Sequence, residues 1–356
     1  MTHSPRSVVI VGAGIIGLTS AFRLARRGHA VTLIDPAPAR GATWAAAGMI
    51  AASAEATSGE RDNFQLQREA VAEWGELNDE LDECAGLRVS LHRAGSLVVG
   101  WSAGDRGAVA RFAQVAANVG ASAQEVSRAG RADLFAGLSD RVHDGLWLPD
   151  DAWLDPDDAV AVLRAALASL GVDVVADVVH EVGRDGAQVV ARGESSSYRG
   201  DVGVLATGWA EPPTGARVSG EHKVRPVRGA TVHVSGVARE GRPMIRAFVR
   251  GRPIYLVARV GGRAVLGATS EERHEVGVEV GELSRLLRDA LEVLPVLESA
   301  TVTATRSGLR PASVDGRPFF EHLEPAGWAW SSGYYRHGVT LAPHAAMLAV
   351  QLAEAS

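Results

Sequence analysis

A glycine-rich turn near the N-terminus holds the residues whose types and spacing most clearly indicate chemistry. Gly12, Gly14 and Gly17 form a G-x-G-x-x-G between an apolar run and a stretch that favours helix. Gly12 permits a tight turn, Gly14 lets the backbone approach a pyrophosphate, and Gly17 lets the helix pack against the strand. A helix N-terminus attracts that anion, and Asp35, which ends the next apolar run, can accept hydrogen bonds from ribose hydroxyls. The pattern predicts a dinucleotide site.

Three further segments favour FAD over NAD as this dinucleotide. Residues 40–49 are mostly small and open a helix, so backbone N–H groups can approach a bulky ligand. The apolar run 202–205 ends in the small residues 206–208, which can pass under a flavin. Residues 333–338 precede an apolar helix whose N-terminus can face the flavin N1/C2=O edge, where negative charge develops on reduction. The chain has one G-x-G-x-x-G, so we expect no separate NADPH domain.

Composition excludes several other classes of protein. Hydrophobic residues make up 46% of the chain and charged residues 22%, which is an ordinary globular balance. The formal net charge of −6 disfavours a nucleic-acid surface. The single cysteine, Cys84, excludes an intrachain disulfide and a multi-cysteine metal site. The 11 histidines include no pair at a four-residue spacing, so we expect no metal.

The distribution of apolar residues predicts a cytoplasmic protein without a membrane partner. The first apolar run, residues 8–11, is too short for the core of a signal peptide. The longest weakly polar stretch, residues 45–54, is well short of the ~20 residues that a membrane span needs.

The order of the elements predicts an α/β fold with an α+β substrate domain. A βαβ-like rhythm indicates a Rossmann-like FAD-binding domain, in which Asp155 caps a helix that begins at Pro156. Short strands with a turn at Gly261-Gly262, followed by a helix at 283–294, indicate an antiparallel-sheet substrate domain. The FAD-binding domain is predicted to be discontinuous, with residues 1–85, 140–221 and 301–356, and the substrate domain to comprise residues 86–139 and 222–300.

Seven segments together resemble a known family. They are VVIVGAGIIGL, GATWAAAGMIAASAE, AWLDP, VLATG, YLVAR…VLGAT, SGLRPASVDGRPF and GYYRHGVTLAP. The chain is similar to the FAD-dependent glycine oxidase and D-amino-acid oxidase family, and most similar to its thiamine-pathway glycine oxidase type. The resemblance implies oxidative deamination of a small amino acid by hydride transfer to flavin N5. The products would be an imine, then a 2-oxo acid, ammonia and H₂O₂.

The motifs and the resemblance together predict the residues that hold FAD. These are Gly12, Gly14, Ile15, Ile16, Gly17, Asp35, Pro36, Arg40, Ala42, Thr43, Ala46, Ala47, Gly48, Met49, Val179, Ala206, Gly208, Gly333, Tyr335, Arg336, His337, Gly338, Val339 and Thr340.

Two arginines are candidates for binding the substrate. A bidentate arginine is the best anchor for the carboxylate of an amino acid. Arg310 is the first candidate because small or rigid neighbours fix its position. The resemblance makes it the carboxylate-binding arginine of the family, and the alternative is a structural salt bridge to a carboxylate such as Asp315. The resemblance also places Arg336 near substrate and flavin, and the alternative there is a side chain turned to solvent.

The resemblance assigns the remaining substrate residues. Tyr255 would lie over the substrate, although a strand tyrosine can equally pack in a core. Met49 and Glu55 would lie at the mouth of the site, and Glu55 is otherwise a solvated residue. A substrate amine that binds in its neutral form needs no general base, so we nominate no catalytic acid or base. His337 stands where the family commonly has asparagine.

The sequence leaves the substrate and the electron acceptor open. Residues 319–321, Phe-Phe-Glu, also depart from the usual small apolar pattern of the family. Glycine, sarcosine and small D-amino acids are the candidate substrates, and O₂ is the expected acceptor. A dehydrogenase with another acceptor, an amine oxidase of a specialised pathway and a catalytically silent flavoprotein subunit are the alternatives. Thiamine synthesis and assembly into a homo-oligomer are open as well.

Overall fold

A computed structural model describes residues 4–58, 61–218, 222–237 and 239–355. Residues 1–3, at the start of the predicted FAD-binding domain, and residues 219–221, at a predicted domain boundary, lie outside these ranges. The helices are α1 (Ile15–Arg26), α2 (Ala42–Ala45), α3 (Arg61–Ala85), α4 (Arg106–Val119), α5 (Ala132–Phe135), α6 (Pro156–Ser169), α7 (Val280–Val293) and α8 (Ala342–Glu354).

The strands alternate with these helices in the first half of the chain and cluster in the second. They are β1 (Ser7–Val11), β2 (Ala30–Ile34), β3 (Met49–Ile50), β4 (Ser96–Gly100), β5 (Gln124–Ser127), β6 (Asp144–Leu148), β7 (Ala152–Trp153), β8 (Val174–Val175), β9 (Val179–Asp185), β10 (Gln188–Gly193), β11 (Ser197–Gly200), β12 (Val202–Leu205), β13 (Val224–Ser235), β14 (Met244–Val249), β15 (Arg252–Ala258), β16 (Arg263–Gly267), β17 (Thr301–Ser313), β18 (Phe319–Leu323) and β19 (Trp328–Ser332).

The first sheet is the predicted Rossmann-like sheet. Its strand order across the described residues is β18-β19-β12-β1-β2-β8, and every pair is parallel except β18 with β19. Strand β1, helix α1 and strand β2 form one βαβ unit. Within it, the backbone N–H of Gly12 donates to Ile34 O at 2.8 Å, which joins the glycine turn to the end of β2. The nearly inaccessible Arg23 of α1 joins α3 through Glu80 and reaches the carbonyl of Pro343 at the start of α8.

The second sheet carries the substrate side of the molecule. Within the described ranges its order is β17-β13-β16-β15-β14-β4-β6-β5. Its pairs are antiparallel except β14 with β4, which is parallel. Helix α7 covers one face and buries Leu286, Ala290 and Val293 against β14 and β15. The mixed α/β fold class is confirmed.

Two strands that fall within the predicted FAD-binding domain pair with strands of the second sheet. Residues 301–313 lie in the predicted FAD-binding domain, and β17 pairs with β13 along almost its whole length in the second sheet. Residues 144–148 lie in the same predicted domain, and β6 pairs with β4 and β5. The pattern of residue types predicts that a segment is a strand, but the sheet that it joins depends on distant partners.

Neither a membrane-spanning helix nor a cluster of metal ligands is found among the described residues. None of the described helices is long and apolar enough to span a membrane. In the described part of the chain, no three histidine, cysteine, aspartate or glutamate side chains group closely enough to hold a metal ion.

Candidate active site

A cavity lies between the carboxyl ends of the first sheet and the face of the second sheet. Most of the predicted cofactor residues line it, together with the predicted substrate residues Tyr255 and Arg310. The lining cofactor residues are Gly12, Gly14, Ile15, Ile16, Asp35, Ala42, Thr43, Ala46, Ala47, Gly48, Met49, Ala206, Gly208, Tyr335, Arg336, His337, Gly338, Val339 and Thr340.

Five predicted cofactor residues are not among the described residues that line this cavity. Pro36 and Arg40 are exposed. Val179 begins β9 and packs beside the core cluster of the first sheet. Gly333 has φ +77° in the turn after β19, and Gly17 is the third residue of α1.

The glycine turn has the close packing that its spacing predicts. Gly12 has φ +104°, and a Cβ there would overlap the carbonyl of Ala206. A Cβ at Gly17 would overlap the carbonyl of Gly12. Neither position has room for a larger residue, so helix α1 begins directly over the ends of β1 and β12. This leaves the first turn of α1 facing the cavity, as an anion site at a helix N-terminus requires.

Asp35 connects this turn to the end of β2. Its Oδ2 accepts the backbone N–H of Ala13 at 2.7 Å and its Oδ1 accepts that of Ala37 at 2.7 Å. A carboxylate can accept about four hydrogen bonds, so each oxygen retains a free lone pair. The carboxylate lines the cavity and can accept from a ribose hydroxyl while it holds the turn.

The small-residue segment that contains α2 forms the floor of the cavity. Thr43 Oγ1 accepts the N–H of Ile15 at 3.1 Å, which joins α2 to the first turn of α1. Gly48 has φ +71°, and a Cβ there would overlap the carbonyl of Leu154. A Cβ at Gly308 would lie 2.9 Å from that of Ala45, so β17 crosses α2 closely. Small side chains therefore allow backbone to approach the cavity from several directions.

Arg259 supports this floor from behind and was not identified from the sequence. Its side chain is 3% exposed, and it donates to Leu154 O at 2.5 Å and to the carbonyl of Ala47. The guanidinium also lies 4.8 Å from the ring centroid of Trp153. Burial lowers the pKa of Arg259 to about 10, so the group stays charged at neutral pH.

Tyr255 and Arg310 project from the second sheet on the opposite wall. Each lies against a glycine of a neighbouring strand, Gly267 for Tyr255 and Gly229 for Arg310, where a Cβ would overlap the side chain. Arg310 donates to Thr269 O at 3.2 Å, and burial lowers its pKa. Burial raises the pKa of the Tyr255 phenol, so this hydroxyl is neutral and can donate.

Glu55 lies between two arginines at one end of the cavity. Arg246 Nη1 is 3.2 Å from Glu55 Oε1, and Arg336 Nη1 is 3.5 Å from Glu55 Oε2. Burial raises the pKa of Glu55, but these two cations more than offset it, so the pKa lies below its usual range. Sequence reasoning missed Arg246, although an arginine inside the apolar strand β14 is itself an unusual signal.

Residues 335–340, just before α8, close the cavity. Tyr335 has φ +47°, and its N–H donates to Pro311 O at 2.8 Å, which fixes this segment against β17. Thr340 Oγ1 donates to Met49 O at 3.3 Å, so the segment also meets the cavity floor. His337 is 8% exposed and lines the cavity with Gly338.

The fold and this cavity define a class of protein, namely a dinucleotide-binding enzyme with a separate sheet over the reactive end of the nucleotide. The chain belongs to the FAD dependent oxidoreductase (DAO) family, whose sequence profile matches residues 7–352. The resemblance noted from the sequence and the prediction of FAD as cofactor are thereby confirmed.

Similar proteins cover almost the whole chain. Glycine oxidase from Geobacillus kaustophilus is 30% identical over 361 residues, which is 99% of this chain and 94% of that relative. The solved structure of glycine oxidase from Geobacillus kaustophilus matches with a TM-score of 0.86 and 26% identity, over 99% of this chain and 95% of that one.

Two other relatives carry different names. The structure of iminodiacetate oxidase from Chelativorans sp. matches with a TM-score of 0.83 and 26% identity, over 97% of this chain and 94% of that one. The bifunctional protein ThiO/ThiG of Trichormus variabilis is 29% identical over 353 residues, which is 96% of this chain but 52% of that relative.

Proposed function

We propose that this enzyme oxidises a small amino acid whose carboxylate binds Arg310. One observation carries the proposal. Arg310 faces the cavity with a single hydrogen-bond partner among the described residues, the carbonyl of Thr269. A guanidinium has five N–H donors in a planar fork that matches a carboxylate. An amino acid supplies that carboxylate next to the carbon that loses hydride.

The glycine turn and the cavity floor are suited to hold FAD. The N–H groups of the first turn of α1 would bind the pyrophosphate, and Asp35 would accept from the adenosine ribose. Residues 42–49 and 338–340 would enclose the isoalloxazine. When bound, FAD supplies the hydride acceptor, and O₂ is the terminal acceptor in an oxidase.

The residues of the second sheet would orient the amine. Arg310 binds the carboxylate. The Tyr255 phenol has no side-chain hydrogen-bond partner among the described residues, so it can donate to the same carboxylate. Met49 and Arg336 border the remaining space. The amine is bound neutral and loses hydride from its α-carbon, and the resulting imine is hydrolysed to a 2-oxo acid and ammonia, or an amine where the substrate is a secondary amine such as sarcosine. No side chain has to act as a general base.

Anaerobic titration of the purified, FAD-loaded protein tests this function. Glycine, sarcosine, D-alanine or D-proline should bleach the flavin absorbance, whereas L-alanine should bleach it slowly. Bleaching by L-alanine and not by D-alanine would contradict the expected preference for D-amino acids. Formation of H₂O₂ when air is admitted identifies an oxidase. If no H₂O₂ forms but an artificial electron acceptor reoxidises the flavin, the enzyme is a dehydrogenase.

A matched pair of variants tests the role of Arg310. Arg310→Ala should lower kcat/KM by at least about a hundredfold, because it removes a charge-assisted bidentate contact, while bound FAD stays stoichiometric. Arg317→Ala is the control, since this arginine is 64% exposed and lies beyond the end of β17. Equal kinetics in the two variants would eliminate Arg310 as the carboxylate anchor.

The expectations of a cytoplasmic location and of a homo-oligomer stay predictions.

A further inference from the structure

The substrate end of the cavity has more positive than negative side chains. Arg246, Arg310 and Arg336 line it, and Glu55 is the carboxylate beside them. Asp35 is the other carboxylate among the described lining residues, and it lies in the glycine-turn half, bonded to two backbone N–H groups. The substrate end therefore has a formal excess of two positive charges.

The two excess positive charges lie at two separate places in the cavity. Glu55 shares its two oxygens between Arg246 at 3.2 Å and Arg336 at 3.5 Å, so one carboxylate serves two guanidinium groups. The side chains of Glu55, Arg246 and Arg336 are 12%, 16% and 38% exposed. This trio keeps one net positive charge, and Arg310 keeps the other.

Arg336 is the member of the trio that can accept a further anion. Arg246 is held by the carbonyl of Ala54 and lies 5.3 Å from the ring centroid of Phe112. Arg336 contacts Glu55 and the Tyr335 ring, and more than a third of its side chain is exposed. Its guanidinium therefore retains N–H donors on the side away from Glu55.

We infer that the preferred substrate is an amine that carries two carboxylates, one bound by Arg310 and the second by Arg336. The inference rests on the proposed function, because it takes Arg310 as the anchor of the first carboxylate. A substrate with one carboxylate compensates one of the two excess charges, and a second carboxylate would compensate the other by pairing with the N–H donors that Arg336 retains. An N-carboxymethyl amino acid and a D-amino dicarboxylic acid share the required chemistry.

Equilibrium binding to the FAD-loaded protein tests the second anion site without turnover. Malonamate and succinamate are the monoamides of malonate and succinate, in which an amide of similar shape replaces one carboxylate. Malonate and succinate should perturb the flavin absorbance at concentrations at least about tenfold lower than those needed for the monoamides. Equal affinities for the acid and its monoamide would overturn the inference.

Two substitutions at neighbouring residues should shift this preference in opposite directions. Arg336→Gln should reduce the preference for the diacid to within about twofold, because it removes the second cation. Glu55→Gln should increase the preference, because Arg246 and Arg336 then lose their shared counterion. General disruption of the cavity would lower the preference in both variants, and that result would count against the inference. Arg317→Gln, at the exposed arginine, should keep the wild-type preference.

Turnover separates this inference from the proposed function. Iminodiacetate and its monoamide, and D-aspartate and D-asparagine, should be compared with glycine under anaerobic conditions. Faster bleaching by either diacid than by its amide supports the inference. If iminodiacetate is the faster diacid, the preferred substrate is a secondary amine, and if D-aspartate is faster, it is a primary amine. Bleaching by glycine without any preference for diacids overturns the inference and keeps the proposed function. Failure of every amine to bleach the flavin overturns the proposed function itself.

Discussion

The guanidinium of Arg310 lies directly against Gly229, across the pairing of β17 with β13. The two strands run antiparallel with Gly229 opposite Gly308 and Val227 opposite Arg310, so the arginine crosses diagonally over the position where residue 229 would carry a side chain. A Cβ at 229 would overlap three atoms of the guanidinium. The absence of a side chain at 229 thus determines where the proposed carboxylate anchor can lie.

Gly229→Ala should displace Arg310 and weaken substrate binding. We expect kcat/KM to fall by at least about tenfold, with the larger effect on KM, because the anchor moves while the cofactor turn is untouched. The measurements are steady-state kinetics and the FAD content of the purified variant. Gly75→Ala is the control, since a Cβ at this position on α3 meets nothing within 4 Å. Wild-type kinetics in Gly229→Ala would show that Arg310 does not depend on this contact.

Alanine substitutions at two glycines with positive φ separate the effect of backbone strain from the effect of disrupting the glycine turn. Gly12 and Gly28 have φ +104° and +84°, but a Cβ at Gly28 meets nothing, whereas one at Gly12 would overlap the carbonyl of Ala206. Gly28→Ala should cost about 1–2 kcal/mol of stability and retain FAD. Gly12→Ala should lose FAD, measured as the ratio of flavin to protein after gel filtration. Stoichiometric FAD in Gly12→Ala would contradict the assignment of this turn to the pyrophosphate.

Short-range patterns predicted the elements that we propose bind the nucleotide, because each feature lies within a few residues of the next. The strand, the glycine turn, the helix and Asp35 occupy one βαβ unit, in which local sterics set the geometry. The same reasoning gave Asp155 as the cap of α6, and its side chain accepts the N–H of Asp157 at 3.2 Å.

Contacts between distant residues could not be predicted in this way. The sheet that β17 joins depends on its register with β13, and the contact of Arg246 with Glu55 spans 191 residues. Arg259 reaches Ala47 across 212 residues. Arg246 lies inside the apolar strand β14 and Arg259 directly follows the apolar strand β15, so the sequence could have marked each as unusual but could not have named its partner.

Asp151 should make the stability of the protein depend on pH. It is 1% exposed, and it accepts the N–H groups of Ser53 and Ala54 at 3.0 Å, just before Glu55. Burial raises its pKa from 3.8 to about 6. The folded state therefore binds this proton more tightly than the unfolded state. Its contribution to stability is fully present below about pH 4 and is lost as the pH rises through about 6, by up to about 3 kcal/mol.

Urea unfolding of wild type and Asp151→Asn between these pH values checks this expectation. The free energy of unfolding of wild type should fall relative to that of the variant as the pH rises, because the amide does not titrate. Asp150→Asn, which removes the neighbouring exposed carboxyl group, should follow wild type. A constant difference between wild type and Asp151→Asn across the range would show that the pKa of Asp151 is the same in both states.

Arg259 should be necessary for the shape of the cavity floor rather than for contact with the substrate. Arg259→Lys keeps the charge but cannot hold the carbonyls of both Leu154 and Ala47, so it leaves a buried acceptor unpaired. We expect the free energy of unfolding to fall by about 2–3 kcal/mol and FAD affinity to fall with it, since Ala47 lines the cavity. Arg263→Lys on the adjacent strand β16, where the side chain is 57% exposed, is the control and should change neither quantity. Unaltered stability with weakened FAD binding would instead place Arg259 in direct contact with the cofactor, because a group that only supports the floor cannot lose its contacts without a cost in folding.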